Sequence, residues 1–190
     1  NPMYVLNAWM GEILLVVACV AILIKKDILT ELLPILNGQG DAIGLILCVT
    51  LCGLSCTNLI TAPSISLEGK NLWIAQSIPV PAATVLRAKV KLQMLLCIPI
   101  TVLTAVVMGL TLRLSVPMLV MVILLTAAFN TFTALLGVVV NLRFPRFDYL
   151  NETAVIKQSM STMICMFGSM AVVLVLSLVY ALLPSAASPA

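Results

Sequence analysis

Long apolar runs separated by short polar stretches dominate the sequence. The hydrocarbon core of a bilayer needs about 20 apolar residues per helix, and five runs have roughly that length. They lie at residues 4–24, 43–62, 92–112, 117–140 and 158–183. The pattern predicts an all-α fold, a polytopic membrane helical bundle of about five transmembrane helices forming a single domain over residues 1–190.

Two polar islands interrupt the apolar pattern, at residues 63–91 and 141–157. In the first island, over residues 66–78, apolar side chains recur at roughly helical spacing among polar ones. This predicts a cytosolic amphipathic helix lying on the membrane surface, with Ser66 as a candidate N-cap. The apolar positions are Leu67, Trp73, Ile74 and Ile78.

Prolines mark several expected helix boundaries. Pro79 should end the surface helix, and Pro81 can begin the next one, because proline is tolerated in the first helical turn. Pro99 should kink the third span. Pro117 opens the fourth span directly after the third, which predicts a tight antiparallel hairpin around residues 113–115.

The charges predict an orientation. With five spans the loops alternate sides, and the side that holds both islands carries most of the basic residues, so the positive-inside rule puts both islands in the cytosol. The basic residues of that side are Lys70, Arg87, Lys89, Lys91, Arg143, Arg146 and Lys157, and those of the other side are Lys25, Lys26 and Arg113.

The composition limits the class of protein. Hydrophobic residues make up 62% of the chain and charged residues 9%, with a formal net charge of +3. Because the basic residues flank apolar runs, they fit topology better than nucleic-acid binding. We expect a multi-pass protein of the cell membrane with the lipid bilayer, and no nucleic acid, as a partner.

Motifs for catalysis are missing from the sequence. The pair Gly69-Lys70 is followed by Asn71, so it does not complete a phosphate-binding loop. The chain has no histidine, and no serine has an evident activating partner. We therefore expect no enzyme, no catalytic or metal site and no cofactor.

Two polar features inside the apolar runs have competing interpretations. Glu12 either lies near the membrane interface at the start of its helix or faces the bundle and has a partner. Asn130, Thr131 and Thr133 lie near the middle of the fourth run. They either make an interhelical hydrogen bond or line a substrate pathway.

Sulfur-containing side chains are interpreted as packing residues. A ridge of small residues in the second run should let helices approach closely, with a metal site as the alternative. A methionine cluster in the fifth run should fill core gaps, with a copper or apolar-substrate site as the alternative. The ridge is Gly44, Cys48, Cys52 and Cys56, and the cluster is Met160, Met163, Met166 and Met170.

The two islands also carry a family resemblance. The segment SISLEGKNLWIAQSIPVPAATVLRAKVKL resembles the cytosolic loop of the membrane subunits of ABC-2-type exporters, in particular the large bacterial ABC exporter permeases of Firmicutes. The segment NLRFPRFDYLNETAVIKQSM resembles their matching second loop. The resemblance implies a permease domain that couples ATP hydrolysis on a separate ATPase subunit to export.

In such permeases the first loop carries a coupling helix that docks on the ATPase. Carried over, the resemblance implies that Glu68, Lys70, Asn71, Leu72 and Trp73 form the ATPase-coupling loop. It also implies that the chain, which starts at Asn1, is a C-terminal-half fragment whose partner is the remaining half or a second copy. A membrane scaffold or immunity-type subunit that moves nothing is the alternative.

Overall fold

A computed structural model describes residues 8–25, 40–71, 73, 77, 79–147 and 159–182. Over these residues the chain is helical and has no strand. Its elements are α1 (Met10–Ile24), α2 (Gly40–Ser55), a 3-10 helix (Ser66–Asn71), α3 (Ala82–Thr111), α4 (Val116–Arg143) and α5 (Met160–Leu182).

The helices form a bundle in which α4 packs against α2, α3 and α5. At one end, the Leu59 backbone N–H donates to the Ala8 carbonyl at 3.1 Å, which joins the chain after α2 to the start of α1. Ala62, Val140 and Cys165 pack together at the same end. We call this the loop end; it brings together the starts of α1 and α5 and the ends of α2 and α4.

Three helices, α3, α4 and the segment Met160–Tyr180 of α5, are long and apolar enough to cross a membrane. The helices α1 and α2 are apolar but shorter, with 15 and 16 residues, or about 22 to 24 Å against a hydrocarbon core of about 30 Å. The second run was predicted to continue to residue 62, but α2 ends at Ser55 because the chain then turns back into the bundle.

The predicted hairpin between the third and fourth runs is present. Arg113 has a left-handed backbone with φ 55°, and the Leu114 N–H donates to the Gly109 carbonyl at 3.0 Å. This is the hydrogen-bond pattern of a Schellman C-cap, where glycine is the usual residue. Ile22 near the end of α1 and Leu112 after α3 both pack against the central core cluster, and the ends of α1 and α3 lie away from the loop end, so Arg113 lies at the opposite end.

The bundle has an apolar core and an apolar outer surface. The central cluster contains Leu15 of α1, Leu51 of α2, Met108 of α3 and Val122 of α4. Large apolar side chains also cover the outside, for example Leu95 with 72% of its surface exposed. Such a surface is typical of a protein in contact with lipid or with other membrane helices.

The segment predicted as a surface helix over residues 66–78 does not begin as the expected α-helix. Residues Ser66–Asn71 form a 3-10 helix that is broken at Gly69, with φ 31° and ψ −107°. Trp73 and Ser77 have helical backbone, and the other residues between 72 and 78 lie outside the described residues. Ser66 is not a free N-cap, since its hydroxyl oxygen accepts hydrogen bonds from Asn141 Nδ2 at 2.8 Å and Arg146 N at 3.0 Å.

Candidate functional site

The most distinctive feature of the loop end is an irregular segment buried within the bundle. Residues 56–66, which we call the clamped turn, leave α2 and are buried or half-buried throughout. Backbone polar groups in such a place need protein partners, because neither lipid nor water is available to them. Backbone carbonyls supply some of these partners, and side-chain amides from two long helices supply those of Thr61, Ile65 and Ser66.

Gln93 on α3 holds the middle of the clamped turn. Its Oε1 accepts hydrogen bonds from the Thr61 backbone N at 2.9 Å and from Thr61 Oγ1 at 2.8 Å. Gln93 is fully buried. One glutamine oxygen therefore satisfies both donors of Thr61 and joins the turn to α3.

Asn141 near the end of α4 holds the end of the clamped turn. Its Oδ1 accepts from the backbone N–H groups of Ile65 at 2.8 Å and Ser66 at 3.1 Å. Its Nδ2 donates to Ser66 Oγ at 2.8 Å and to Ser161 Oγ at 3.0 Å. This one buried side chain connects both polar islands to α5.

The clamped turn lies against helix backbone at a glycine. A Cβ added to Gly137 of α4 would collide with Thr61 Oγ1 and lie 3.0 Å from the Ala62 backbone N. The absence of a side chain at Gly137 therefore lets the turn approach α4 closely. This approach brings Ile65 and Ser66 within reach of Asn141 one helical turn farther along.

An ion pair joins the 3-10 helix to the N-terminal part of α3. Lys89 Nζ contacts Glu68 Oε1 at 2.5 Å and donates to the Ser64 carbonyl at 3.1 Å. Lys89 is half-buried, whereas Arg87 and Lys91 beside it are exposed. Lys89 thus joins α3 to the 3-10 helix.

The residues of the expected coupling loop are only partly described. Glu68 pairs with Lys89, and Lys70 and Asn71 end the 3-10 helix. Trp73 has 66% of its surface exposed, and Leu72 lies outside the described residues. The coupling role of these residues stays a prediction.

A groove of about 520 Å³ lies beside the ion pair. The first island contributes Ile65 and Glu68, the N-terminal part of α3 contributes Leu86, and the second island contributes Pro145 and Phe147. The groove is therefore a surface that both polar islands form together at the loop end.

A second polar cluster lies deeper in the bundle around Glu12, which faces inward and has 1% of its surface exposed. Its Oε1 accepts from Asn58 Nδ2 at 2.8 Å and Thr101 Oγ1 at 3.2 Å, and its backbone N–H donates to Asn58 Oδ1 at 3.1 Å. Of the two interpretations of Glu12, the structure shows the one in which it faces the bundle and has partners. Gly11 allows this contact, because a Cβ there would lie 2.5 Å from Asn58 Oδ1.

The polar residues in the middle of the fourth run bond within the bundle. Asn130 Nδ2 donates to Thr101 Oγ1 at 3.2 Å, an interhelical hydrogen bond, and to the Thr126 carbonyl at 3.1 Å. Thr131 and Thr133 donate to carbonyls of their own helix, those of Ala127 and Asn130. A role for the three residues in a pathway stays a prediction.

The small-residue ridge packs against neighbouring helices as expected. A Cβ on Gly44 would collide with Met118, and Cys52 and Cys56 form a cluster with Phe129 of α4 and Val173 of α5. All six cysteines are free, and the described residues contain no group of three or more Cys, Asp or Glu placed to hold a metal ion.

The packing interpretation of the methionine cluster is wrong for three of its members. Met160, Met163 and Met170 are exposed large hydrophobic side chains, and only Met166 is half-buried. The three exposed methionines lie on the outer surface of α5, because Ser161, Cys165 and Ser169 occupy the face that is turned inward.

Sequence reasoning missed the residues that hold the clamped turn. Gln93 lies at the second position of an apolar run, and Asn141 begins the second island, so neither stood out as a functional side chain. The available signal was a single amide at the edge of a long apolar segment, which in a membrane protein predicts a hydrogen-bonded partner.

Comparisons with known proteins agree with part of the family resemblance. No curated protein matches the chain, and no solved structure does. A protein family described as "Putative ATP-binding cassette" matches residues 9–188, nearly the whole chain, and relates it to ABC transporters. The chain belongs to this "Putative ATP-binding cassette" family.

Proposed function

We propose that the chain is a membrane-spanning permease domain of an ATP-binding-cassette exporter, in a multi-pass protein of the cell membrane. It would carry out no chemistry and would be driven by ATP hydrolysis on a separate subunit. The family match over residues 9–188, the three apolar helices of spanning length and the lack of a phosphate-binding loop in the sequence support this proposal.

The observation that carries the proposal is the connection between the two polar islands. Asn141 holds Ser66 through its side-chain amide, and the Arg146 backbone N–H donates to the same Ser66 hydroxyl at 3.0 Å. A partner that pushes on the first island therefore also moves the end of α4. This is the mechanical property that a coupling surface needs.

A second connection leads from the first island to α3. Glu68 and Lys89 form an ion pair, and Gln93, about one helical turn farther along α3, holds Thr61. The two connections would transmit a displacement at the loop end to α3 and α4 together. Relative motion of these helices would then open or close a pathway, with Asn130, Thr131 and Thr133 as its candidate lining.

In this proposal the ATPase docks on residues 66–79 and on the groove beside them. Trp73 is exposed enough to act as an aromatic anchor. The groove offers apolar surface from Leu86, Pro145 and Phe147 next to the charges of Glu68 and Lys89. The remaining half of the permease, or a second copy, would cover the outer surface of the bundle.

The test is co-purification of the full-length permease with its candidate ATPase, comparing wild type with Glu68→Lys combined with Trp73→Ala. Because Glu68→Lys also breaks the ion pair, the control is the charge exchange Glu68→Lys with Lys89→Glu, in which the pair is restored. Loss of the ATPase in both proteins, with the bundle still folded, supports docking on residue 68 itself. Equal binding in all three proteins rules out docking on residues 66–79.

The scaffold alternative has one observation in its favour. Asn130 Nδ2 donates to Thr101, which also contacts Glu12, and the Thr133 hydroxyl donates to the Asn130 carbonyl, so the donor groups of Asn130 and Thr133 are bonded within the bundle without a substrate. A scaffold would bind a partner without altering ATP hydrolysis. In reconstituted vesicles, a permease should change the ATPase rate when Asn141→Leu uncouples the islands, whereas a scaffold should not.

A further inference from the structure

Glu12 is a buried carboxyl group with an unpartnered oxygen. Its Oε1 accepts hydrogen bonds from Asn58 and Thr101, but its Oε2 is buried and has no hydrogen-bond partner among the described residues. No lysine or arginine of the described part of the chain forms an ion pair with it. An ionised carboxylate in this position would be a buried charge without compensation, which is costly inside a membrane bundle.

A second unpartnered oxygen lies on the other side of Thr101. Asn130 uses its Nδ2 to reach Thr101 Oγ1 at 3.2 Å, while its Oδ1 is buried and lacks a partner in the described structure. Asn130, like Glu12, has 1% of its surface exposed. The Glu12 carboxyl group of α1 and the Asn130 amide of α4 thus contact the same Thr101 hydroxyl. Each of the two groups has one buried acceptor oxygen without a partner in the described structure.

Buried acceptor oxygens that lack donors are suited to a bound positive charge. A carboxylate, a hydroxyl and an amide oxygen are hard ligands, which suit a small hard cation. One carboxylate balances a single charge, so a monovalent cation would leave the site neutral, whereas a divalent ion would not. Buried acidic side chains form proton relays in membrane pumps and transporters, and backbone carbonyl oxygens coordinate Na⁺ near the bilayer midplane in such proteins.

We propose that Glu12, Asn58, Thr101 and Asn130 form a binding site for one monovalent cation, a proton or Na⁺, which we call the Glu12 centre. The proposal does not depend on the ABC exporter function. Each member belongs to a different segment: α1, the clamped turn, α3 and α4. Occupancy of the site therefore strengthens the packing of all four segments.

Among the residues that the structure describes, Cys97 is the titratable side chain that interacts with Glu12. Cys97 of α3 contacts Glu12 through its thiol. Asn58 of the clamped turn bonds to Glu12 directly, and Asn130 of α4 is connected to it through Thr101; neither amide ionises. Glu12 is thus the group at this site that takes up the positive charge.

The test uses the full-length protein purified in detergent. Its thermal unfolding midpoint is measured in increasing NaCl at constant ionic strength, balanced with choline chloride, and the carbonyl band of a protonated carboxylic acid is measured by infrared difference spectroscopy. The same measurements are made on Glu12→Gln, which keeps the shape of the side chain, and on Glu68→Gln, which removes a carboxylate from the loop end.

Two results support the proposal and identify the cation. A midpoint that rises with Na⁺ in wild type and in Glu68→Gln, but not in Glu12→Gln, identifies Na⁺. No response to Na⁺, together with a carboxylic acid band that only Glu12→Gln loses, identifies a proton. If wild type shows neither the Na⁺ response nor the band, the Glu12 centre holds no cation and the proposal is overturned.

Thr101→Val keeps the test decisive if Glu12→Gln does not fold. It leaves the carboxyl group in place and removes one ligand oxygen. The Na⁺ concentration for half of the shift should then rise about tenfold, which corresponds to the loss of about 1.4 kcal/mol of binding free energy, or the carboxylic acid band should change frequency. An unchanged Na⁺ response and an unchanged band in this variant contradict the site.

Discussion

The side-chain amide of Asn141 holds Ser66 at two points, with Oδ1 accepting from the Ser66 backbone N–H at 3.1 Å and Nδ2 donating to Ser66 Oγ at 2.8 Å. The two residues belong to different polar islands, and both are completely buried. Because an amide offers a donor and an acceptor in one plane, it fixes both the position and the direction of the turn that it holds. The relative placement of the two islands therefore depends on this side chain.

Asn141→Leu should destabilise the protein by about 2 to 3 kcal/mol. It leaves the buried N–H groups of Ile65 and Ser66 without their acceptor, and an unpaired buried donor costs about 1 to 3 kcal/mol. Reversible unfolding in mixed detergent micelles measures the difference. The control is Thr131→Val, whose hydroxyl bonds only to a carbonyl of its own helix and whose loss should cost about 0.5 kcal/mol or less. Equal effects of the two substitutions would contradict the role of Asn141.

Gly137→Ala should displace the clamped turn. The added methyl group would collide with Thr61 Oγ1, so either the turn or α4 must move, at a cost of about 1 to 3 kcal/mol. Gly168→Ala in α5 is a matched control, since nothing lies within 4 Å of its Cβ position. Both changes raise helix propensity equally, so a comparison of their unfolding free energies isolates the contact with Thr61. The close approach is disproved if Gly137→Ala is as stable as Gly168→Ala.

The hydrophobic pattern predicted the bundle well because helices buried in apolar surroundings need long uninterrupted runs. The hairpin between α3 and α4 follows directly from the four residues that separate two such runs, and the helix after Pro81 begins at Ala82. The end of α2 could not be predicted from the hydrophobic pattern. Residues 56–62 are apolar enough to continue a helix, yet they turn, because Asn58 and Thr61 find partners in Glu12 and Gln93.

The polar contacts were less predictable than the helices. Pairings such as Asn141 with Ser66 join positions that are 75 residues apart, and periodicity along one helix contains no information about such a distance. The charge pattern did predict that basic residues collect at one end. In the described structure Arg87, Lys89, Lys91, Arg143 and Arg146 lie at or near the loop end, and Lys25 and Arg113 lie at the other.

Arg113→Gly should stabilise the hairpin. Arg113 has φ 55°, a left-handed conformation that costs a residue with a Cβ roughly 1 kcal/mol and costs glycine almost nothing. The C-cap hydrogen bonds use backbone atoms only, so they survive the substitution. Ser115→Gly is the control, because Ser115 has an ordinary φ of −62° and glycine there only adds freedom to the unfolded chain. We expect a higher unfolding free energy for Arg113→Gly and a lower one for Ser115→Gly; the opposite order would contradict the strain at Arg113.

Reversing one charge of the Glu68 and Lys89 pair should change stability only slightly. The Glu68 side chain is 33% exposed, and partly exposed ion pairs contribute about 1 kcal/mol or less. Glu68→Lys and Lys89→Glu should each lower the unfolding free energy by about this amount, and the exchange of both charges should recover most of it. The loss should shrink in high salt, because salt screens charges near the surface. Lys89→Glu should be the costlier single change, since Lys89 also donates to the Ser64 carbonyl. A double-mutant cycle at low and at high salt measures the coupling energy between the two charges. A coupling energy of zero at low salt would show that the pair does not join the 3-10 helix to α3.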